Sequence, residues 1–480
     1  MSFARAEARF PRRLLVTMML GSVLNPINSS ILAVALVPIG TYFGAPPAQT
    51  AWLVSSLYLA AAVGQPLVGR LVDRYGPKRL FLAGATLICV AGVVGMVAPN
   101  LWVLVAARVV LGLGTCAGYP SAMSLIRRVV DRRGMASPAG VLTVLFVTVQ
   151  TTAVVGPTLG GLLVDLGGWR ATLAINLPLG MAALGLGWAY LPSHVDQASQ
   201  NQTGWPQRMD WPGVGLLTAT LLGLLLFSMQ PGVAWLWVLG LGVVAGAGFV
   251  ARERHTPDPF IDVRVLWGNL PLQATYLREL AAALVSYAFM YGFPQWLEGA
   301  RGLSPSGAGA VLLAPFAVGI VVSALFGRRP RVRVNLLVGT VVQGLICVLL
   351  LGVGATTPMW ALVGATVLLG VPEGLLSLSN QNALYLQARP DAIGASSGLL
   401  RSFQYFGAIG ASAAVGAAFG THVSTSGLHN LAWFMLAVTA VELVIVLLDR
   451  SLGRLRPSAT FVRTLAPEMV DAVADALEKP

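Results

Sequence analysis

Apolar and polar positions alternate on a long scale in this chain: long apolar runs are parted by short polar gaps. A run of about 20 apolar residues is what a helix needs to cross the hydrocarbon core of a bilayer. Fourteen such spans are expected, at about 14–39, 49–70, 80–98, 101–126, 137–166, 170–191, 212–229, 232–251, 273–297, 305–327, 332–354, 358–386, 393–420 and 429–449. The first run is too long for the core of a signal peptide and reads as an uncleaved span. Several runs are interrupted by glycine or proline, which spans tolerate when neighbours satisfy the freed backbone groups. The oddest interruption is Leu24-Asn25-Pro26-Ile27-Asn28-Ser29-Ser30, in the middle of span 1.

The gaps alternate in charge. Arg5, Arg9, Arg12 and Arg13 precede span 1; Arg70, Arg74, Lys78 and Arg79 follow span 2; Arg127, Arg128, Arg132 and Arg133 follow span 4. Arg328, Arg329, Arg331 and Arg333 follow span 10, and Arg450, Arg454 and Arg456 follow span 14. The gaps after spans 1, 3, 7 and 11 hold no Lys or Arg. Basic residues mark cytoplasmic loops, so both termini are expected in the cytoplasm and the span count is even. The chain reads as an all-α polytopic protein of the cell's inner (cytoplasmic) membrane.

Composition agrees. Of 480 residues 56% are hydrophobic and 10% charged, and the net charge is +12. A soluble domain carries roughly a quarter charged residues. The positive charge sits in the gaps, which speaks for a lipid bilayer as partner and against nucleic acid. Cys89, Cys116 and Cys347 lie inside apolar runs and read as small hydrophobes without a disulfide framework. The four histidines lack metal-ligand spacing, and no phosphate-binding loop is present. No cofactor, metal or catalytic group is expected, and the protein is not read as an enzyme.

A repeat organises the chain. LVAARVVLGLGT at 104–115 matches LVGATVLLGVPE at 362–373, an offset of 258 residues that sets span 4 opposite span 12. The division that follows is an N-terminal six-helix half at 1–191, a linker at 192–272 with two extra spans, a C-terminal six-helix half at 273–449 and a tail at 450–480. Two related halves around a midplane site are an architecture of alternating-access transporters. The extra spans carry no charge and read as scaffold. Asn201-Gln202-Thr203 matches a glycosylation sequon but lies in an expected cytoplasmic loop.

Three motifs carry a family resemblance. The gap after span 2 reads GRLVDRYGPKR, with Gly69, Asp73, Arg74, Gly76, Lys78 and Arg79. It resembles the signature loop of the major facilitator superfamily. Glycines suit a short turn. Arg74 and Arg79 can pair with an acid, for which Asp131 is the candidate, and such a cluster can latch one state. The second half has GRRPRVR without an aspartate, so the latch is expected to be one-sided. Span 4 carries Arg108, Gly112, Gly114 and Gly118, similar to the family's fourth-helix motif. Span 5 carries Gly156, Pro157, Gly160 and Gly161, similar to a motif associated with antiport. GGWRATLAINLPLG at 167–180 and DPFIDVR before span 9 resemble the fourteen-span drug:proton antiporter branch. The resemblance implies a major facilitator fold of two six-helix halves plus two inserted helices. It also implies export of amphipathic compounds in exchange for protons.

Few ionisable groups lie within the spans, and each is a site candidate by default. Glu373, between Pro372 and Gly374, best fits the proton-coupling group; its alternative is a packing hydrogen bond. Arg278 and Glu279 are either an interfacial ion pair or a coupling pair. Arg108 is either buried or snorkels to the interface. Asn25, Asn28, Ser29, Gln381, Asn382, Arg401 and Gln404 are candidate substrate-lining groups. Asn28 stands where relatives of the branch carry an aspartate, and an amide cannot titrate. Pro26 is expected to break the helix and free carbonyls for a ligand. The expected partners are a small-molecule substrate and protons, and a monomer is expected. Two other functions stay open: a proton-coupled or facilitated transporter of a polar metabolite, and a non-transporting sensor or lipid-handling protein.

Overall fold

The computed structural model describes residues 11–133, 139–192, 210–229, 232–256, 263–265, 269–326, 331–388 and 393–453. They form sixteen α-helices and, among the described residues, no strand. The helices are α1 (Arg12–Leu32), α2 (Leu36–Phe43), α3 (Pro47–Tyr75), α4 (Pro77–Met96), α5 (Leu101–Thr115), α6 (Gly118–Arg133), α7 (Ala139–Ala174) and α8 (Asn176–Tyr190). Then follow α9 (Trp211–Met229), α10 (Leu236–His255), α11 (Leu270–Gly299), α12 (Pro305–Phe326), α13 (Val332–Leu351), α14 (Met359–Gln387), α15 (Ile393–Phe419) and α16 (Thr425–Leu448).

Local chemistry sets many of the ends. The side chains of Asn100, Asn269 and Ser424 accept backbone N–H bonds at the starts of α5, α11 and α16. Pro47 and Pro77 open α3 and α4, where a missing N–H costs nothing. Gly76 joins α3 to α4 at φ 88°, a conformation open to glycine. Gly168, at φ 69°, kinks α7 between the stretches read as spans 5 and 6. Span 1 divides at Ala33–Ala35 and not at Pro26, which lies inside α1. Proline's φ suits a helix and removes one bond. The packing of α6, α7 and α8 against α1 holds the rest.

Eight helical stretches among the described residues are long and apolar enough to cross a membrane, or nine if a pair bent by 43° at Ala174–Asn176 counts as one. Other long helices, α3 and α11 at 29 and 30 residues, carry ionisable groups within their length. Those groups dilute hydropathy without shortening the helix.

The packing pairs of α1–α8 recur in α11–α16. Helix α1 packs on α7 as α11 packs on α15; α3 on α5 as α12 on α14; α4 on α5 as α13 on α14; α4 on α8 as α13 on α16. The 258-residue repeat is visible in detail. A Cβ at Gly112 would lie 2.6 Å from the Leu57 carbonyl of α3, and one at Gly370 would lie 2.7 Å from the Pro315 carbonyl of α12. The two sets meet through α7 with α12 and through α3 with α15. The α9–α10 pair lies outside, with α9 against α3 and α15. An ion pair at 2.8 Å between Asp210 and Arg252 ties its ends together.

Candidate functional site

Between the two sets lies a cavity of about 200 Å³. Helix α1 contributes Ser22, Asn25, Pro26, Ser29 and Ser30; α3 contributes Gln65, α5 Thr115 and α6 Tyr119. The facing wall has Glu279, Ser286 and Tyr287 from α11, Glu373 and Ser377 from α14, and Arg401, Gln404 and Tyr405 from α15. Three ionisable side chains expected from the sequence therefore meet on one wall.

Each carboxylate has donors. Glu373 accepts a hydrogen bond from the Ser286 hydroxyl, which ties α14 to α11. Glu279 accepts from Asn380 Nδ2 at 3.1 Å and from Ser377 Oγ at 3.4 Å. Arg401 donates to Gln404 Oε1 at 3.3 Å and lies over the Tyr119 ring at 5.4 Å. Arg278, one residue from Glu279, turns away from the cavity and pairs with Asp449 at 2.7 Å. Gln381 donates to Ser377 Oγ at 3.4 Å from behind the wall, and Asn382 is not among the lining groups.

The polar stretch of α1 divides its labour. Asn25 and Ser29 line the cavity, and Asn25 Nδ2 donates to Thr115 Oγ1 at 3.0 Å. Asn28 faces the other way, to Asn176 Oδ1 at 2.7 Å. The hydroxyls of Ser29 and Ser30 donate to the Pro26 carbonyl, at 3.0 and 2.7 Å. The carbonyl that Pro26 leaves without its helix donor is that of Ser22, four residues back. Arg108 is buried at 2% exposure and does not snorkel. Its guanidinium donates to Leu53 O at 3.2 Å and to Asn28 O at 3.4 Å, joining α5 to α3 and α1.

One end of the cavity is sealed. Around α3, α11 and α15, Tyr58 OH meets Tyr291 OH at 3.2 Å, Ser412 Oγ donates to Ala51 O at 3.0 Å, and Ala48 N donates to Gly420 O at 3.3 Å. On the opposite side Gly161 and Pro157 of the span 5 motif make the seal: a Cβ at Gly161 would lie 2.5 Å from Ser306 Cα of α12, and the Pro157 carbonyl abuts Gly309 of α12. Gly156 and Gly160 pack α7 on α1 within the first set, where Gly156 abuts Ser30 and a Cβ at Gly160 would lie 2.7 Å from Ile31 O. Thr158 Oγ1 donates to Gly309 O at 3.1 Å. Small residues let these backbones touch.

The signature loop lies at the other end. Lys78 donates to Trp188 O at 2.8 Å, and Arg79 is exposed. A Cβ at Gly69 would meet nothing within 4 Å, so Gly69 is not at a close approach here. The side chains of Asp73, Arg74 and Asp131 lie outside the described residues, and so do DPFIDVR for the most part, the Asn201 sequon and the tail beyond Gly453.

Sequence reasoning passed over several groups. Gln65 accepts a hydrogen bond from Tyr405 OH at 2.6 Å across the two sets. Tyr58 packs on Tyr287 and Tyr405 with ring centroids 5.3 and 5.8 Å apart. Asn380 and Asp449 hold the groups beside the cavity. Glu442 of α16 is fully buried and accepts from Gln343 Nε2 at 2.9 Å. Two kinds left a trace in the sequence: Glu442 as an ionisable group inside the last span, and the tyrosines as polar-tipped aromatics inside apolar runs.

Two helical sets clasping one polar cavity, with repeated packing pairs, define a multi-pass membrane transporter. The chain belongs to the Major Facilitator Superfamily, which it matches over residues 18–411. It is 31% identical over 430 residues to the uncharacterized MFS-type transporter YwoD of Bacillus subtilis, covering 88% of this chain and 94% of that one. It is 26% identical to the methylenomycin A resistance protein of Streptomyces coelicolor, covering 87% of each. A crystal structure of a mutant of the nucleoside transporter NupG superposes with a TM-score of 0.64 at 13% identity, covering 90% of this chain and 99% of that one. That likeness concerns the fold.

Proposed function

We propose that the protein exports amphipathic organic compounds in exchange for protons, by alternating access. The observation that carries this reading is the placement of Glu279 and Glu373 on one wall of a cavity that both helical sets enclose. A carboxylate in such a place can exchange a proton when the cavity changes the side it faces. The span 5 motif supports it, because its Gly161 and Pro157 make one of the two seals between the sets. So does the resistance function in the name of the Streptomyces coelicolor relative.

In this reading the chain has fourteen spans, α1 with α2 and α5 with α6 each making one. The halves are 1–191 and 273–449, and the α9–α10 pair is the insert. Both termini face the cytoplasm of a cell whose inner membrane holds the protein. The sealed end is then external, because the gap between α2 and α3 holds no Lys or Arg. The structure is then the inward-facing conformation. One chain lines the whole cavity, so a monomer suffices.

Polar groups on both walls favour a second reading, transport of a polar metabolite. Asn25, Gln65, Gln404 and several serines offer it hydrogen bonds. Everted vesicles carrying the full-length protein separate the two. Proton release on adding amphipathic drugs is expected, and release only with a nucleoside or sugar would favour the second reading.

A further inference from the structure

Arg278 and Asp449 stand outside the cavity, yet they are joined to it. The pair is buried at 0% and 6% side-chain exposure, at 2.7 Å. Arg278 also donates to Thr275 Oγ1 at 2.6 Å and to Asn380 Oδ1 at 3.3 Å. Asp449 fills its other oxygen with Ser451 N at 3.0 Å and Ser451 Oγ at 2.5 Å. The chain continues inward, since Asn380 Nδ2 donates to Glu279 Oε2 at 3.1 Å.

The direction of these bonds is forced. A guanidinium only donates, so Asn380 must turn Oδ1 towards Arg278. Its Nδ2 must then face Glu279. A carboxylate that meets a fixed donor is favoured in its charged form. Asp449, just past α16, holds Arg278 of α11, which orients Asn380 of α14, which serves Glu279 of α11.

We propose that Asp449, Arg278 and Asn380 are positioning residues that fix the hydrogen bonding of the Glu279 carboxylate from the joint of α11, α14 and α16. This rests on the coupling role given to Glu279 above. It also gives the second half a buried tie where its GRRPRVR loop lacks the signature aspartate. The charged groups that act on Glu279 are Glu373 on α14, Arg401 on α15 and Glu442 on α16, while Arg278, its neighbour in the chain, faces Asp449 and Glu442. Helix α12, also packed on α11, has no charged or titratable side chain.

The test is a pH titration of the Glu279 carboxyl by infrared difference spectroscopy on the full-length protein in lipid. The Glu279 band is the one lost in Glu279→Gln. Asn380→Leu removes the donor, and the band's midpoint is expected to move up by about one pH unit. Asp449→Asn frees Arg278, which then no longer fixes Asn380, and the midpoint is expected to move up here too, by less than in Asn380→Leu. Asp449→Glu restores the wild-type midpoint. Loosened packing would not be repaired by returning a carboxylate. Unmoved midpoints in Asn380→Leu and Asp449→Asn would overturn the relay, as would a downward shift in Asp449→Asn. Should Asp449→Asn fail to fold, Asn380→Leu decides alone. The titration uses no substrate and no gradient, so it reads the relay even if drug-dependent proton release fails.

Discussion

Asn28 Nδ2 on α1 donates to Asn176 Oδ1 on α8 across 2.7 Å, with both residues almost wholly buried. The same nitrogen donates to Leu24 O at 2.8 Å, so both of its hydrogens are used. The amide at this position is a helix–helix bond and not a cavity group. Asn28→Ala would leave Asn176 Oδ1 buried without that donor, which costs about 1–3 kcal/mol. A lower melting temperature in detergent is expected. A wild-type melting curve would show that α1 and α8 are held by packing alone.

Arg108 joins α5 to two other helices only because its guanidinium is a fork. One edge meets Leu53 O and the other Asn28 O. Lysine has the charge but places its donors at a single point. Arg108→Lys should therefore behave like Arg108→Met, each losing about 2 kcal/mol of stability. If the lysine variant melts with the wild type while the methionine variant does not, charge matters here and the fork does not.

Much of the fold was legible because membrane spans announce themselves by length. The turn at Gly76, the kink at Gly168 and the repeat that pairs Gly112 with Gly370 all fall where the residues suggested. What stayed hidden was the rotation of each helix about its axis. Helices such as α11 and α16 are apolar on nearly every side, so no stripe shows which way a residue points. Arg278 and Glu279 are neighbours in the chain, but one turns to Asp449, 171 residues away, and the other to the cavity. Asn28 and Ser29 part in the same way. The break in span 1 was misplaced because proline was weighed without the helices that clamp it.

The span 5 motif makes a prediction about conformational balance. A Cβ at Gly161 would press on the Pro305 carbonyl and on Ser306 Cα of α12, and backbone cannot move aside as a flexible side chain can. Gly161→Ala should weaken the sealed conformation by about 1–3 kcal/mol. A cysteine placed in the seal by Ala51→Cys, a position 3% exposed, reports the change. Labelling by a membrane-impermeant thiol reagent from the side of the α3 N-terminus should rise in the Gly161→Ala background. Labelling that stays at the level of Ala51→Cys alone would place the motif outside the seal's energetics.

Glu373 and Glu279 can be told apart by what glutamine keeps. In Glu373→Gln the amide oxygen can still accept from Ser286, so α14 stays tied to α11 and the fold should survive. The proton cannot be carried. In everted vesicles the acid lumen should no longer drive drug uptake, while exchange of labelled for unlabelled drug, which needs no proton, continues. Wild-type uptake should rise as the lumen is made more acidic, and that of Glu373→Gln should stay flat. If Glu373→Gln keeps the rise and Glu279→Gln loses it, the coupling proton belongs to Glu279, and Glu373 serves to hold α11 and α14 together.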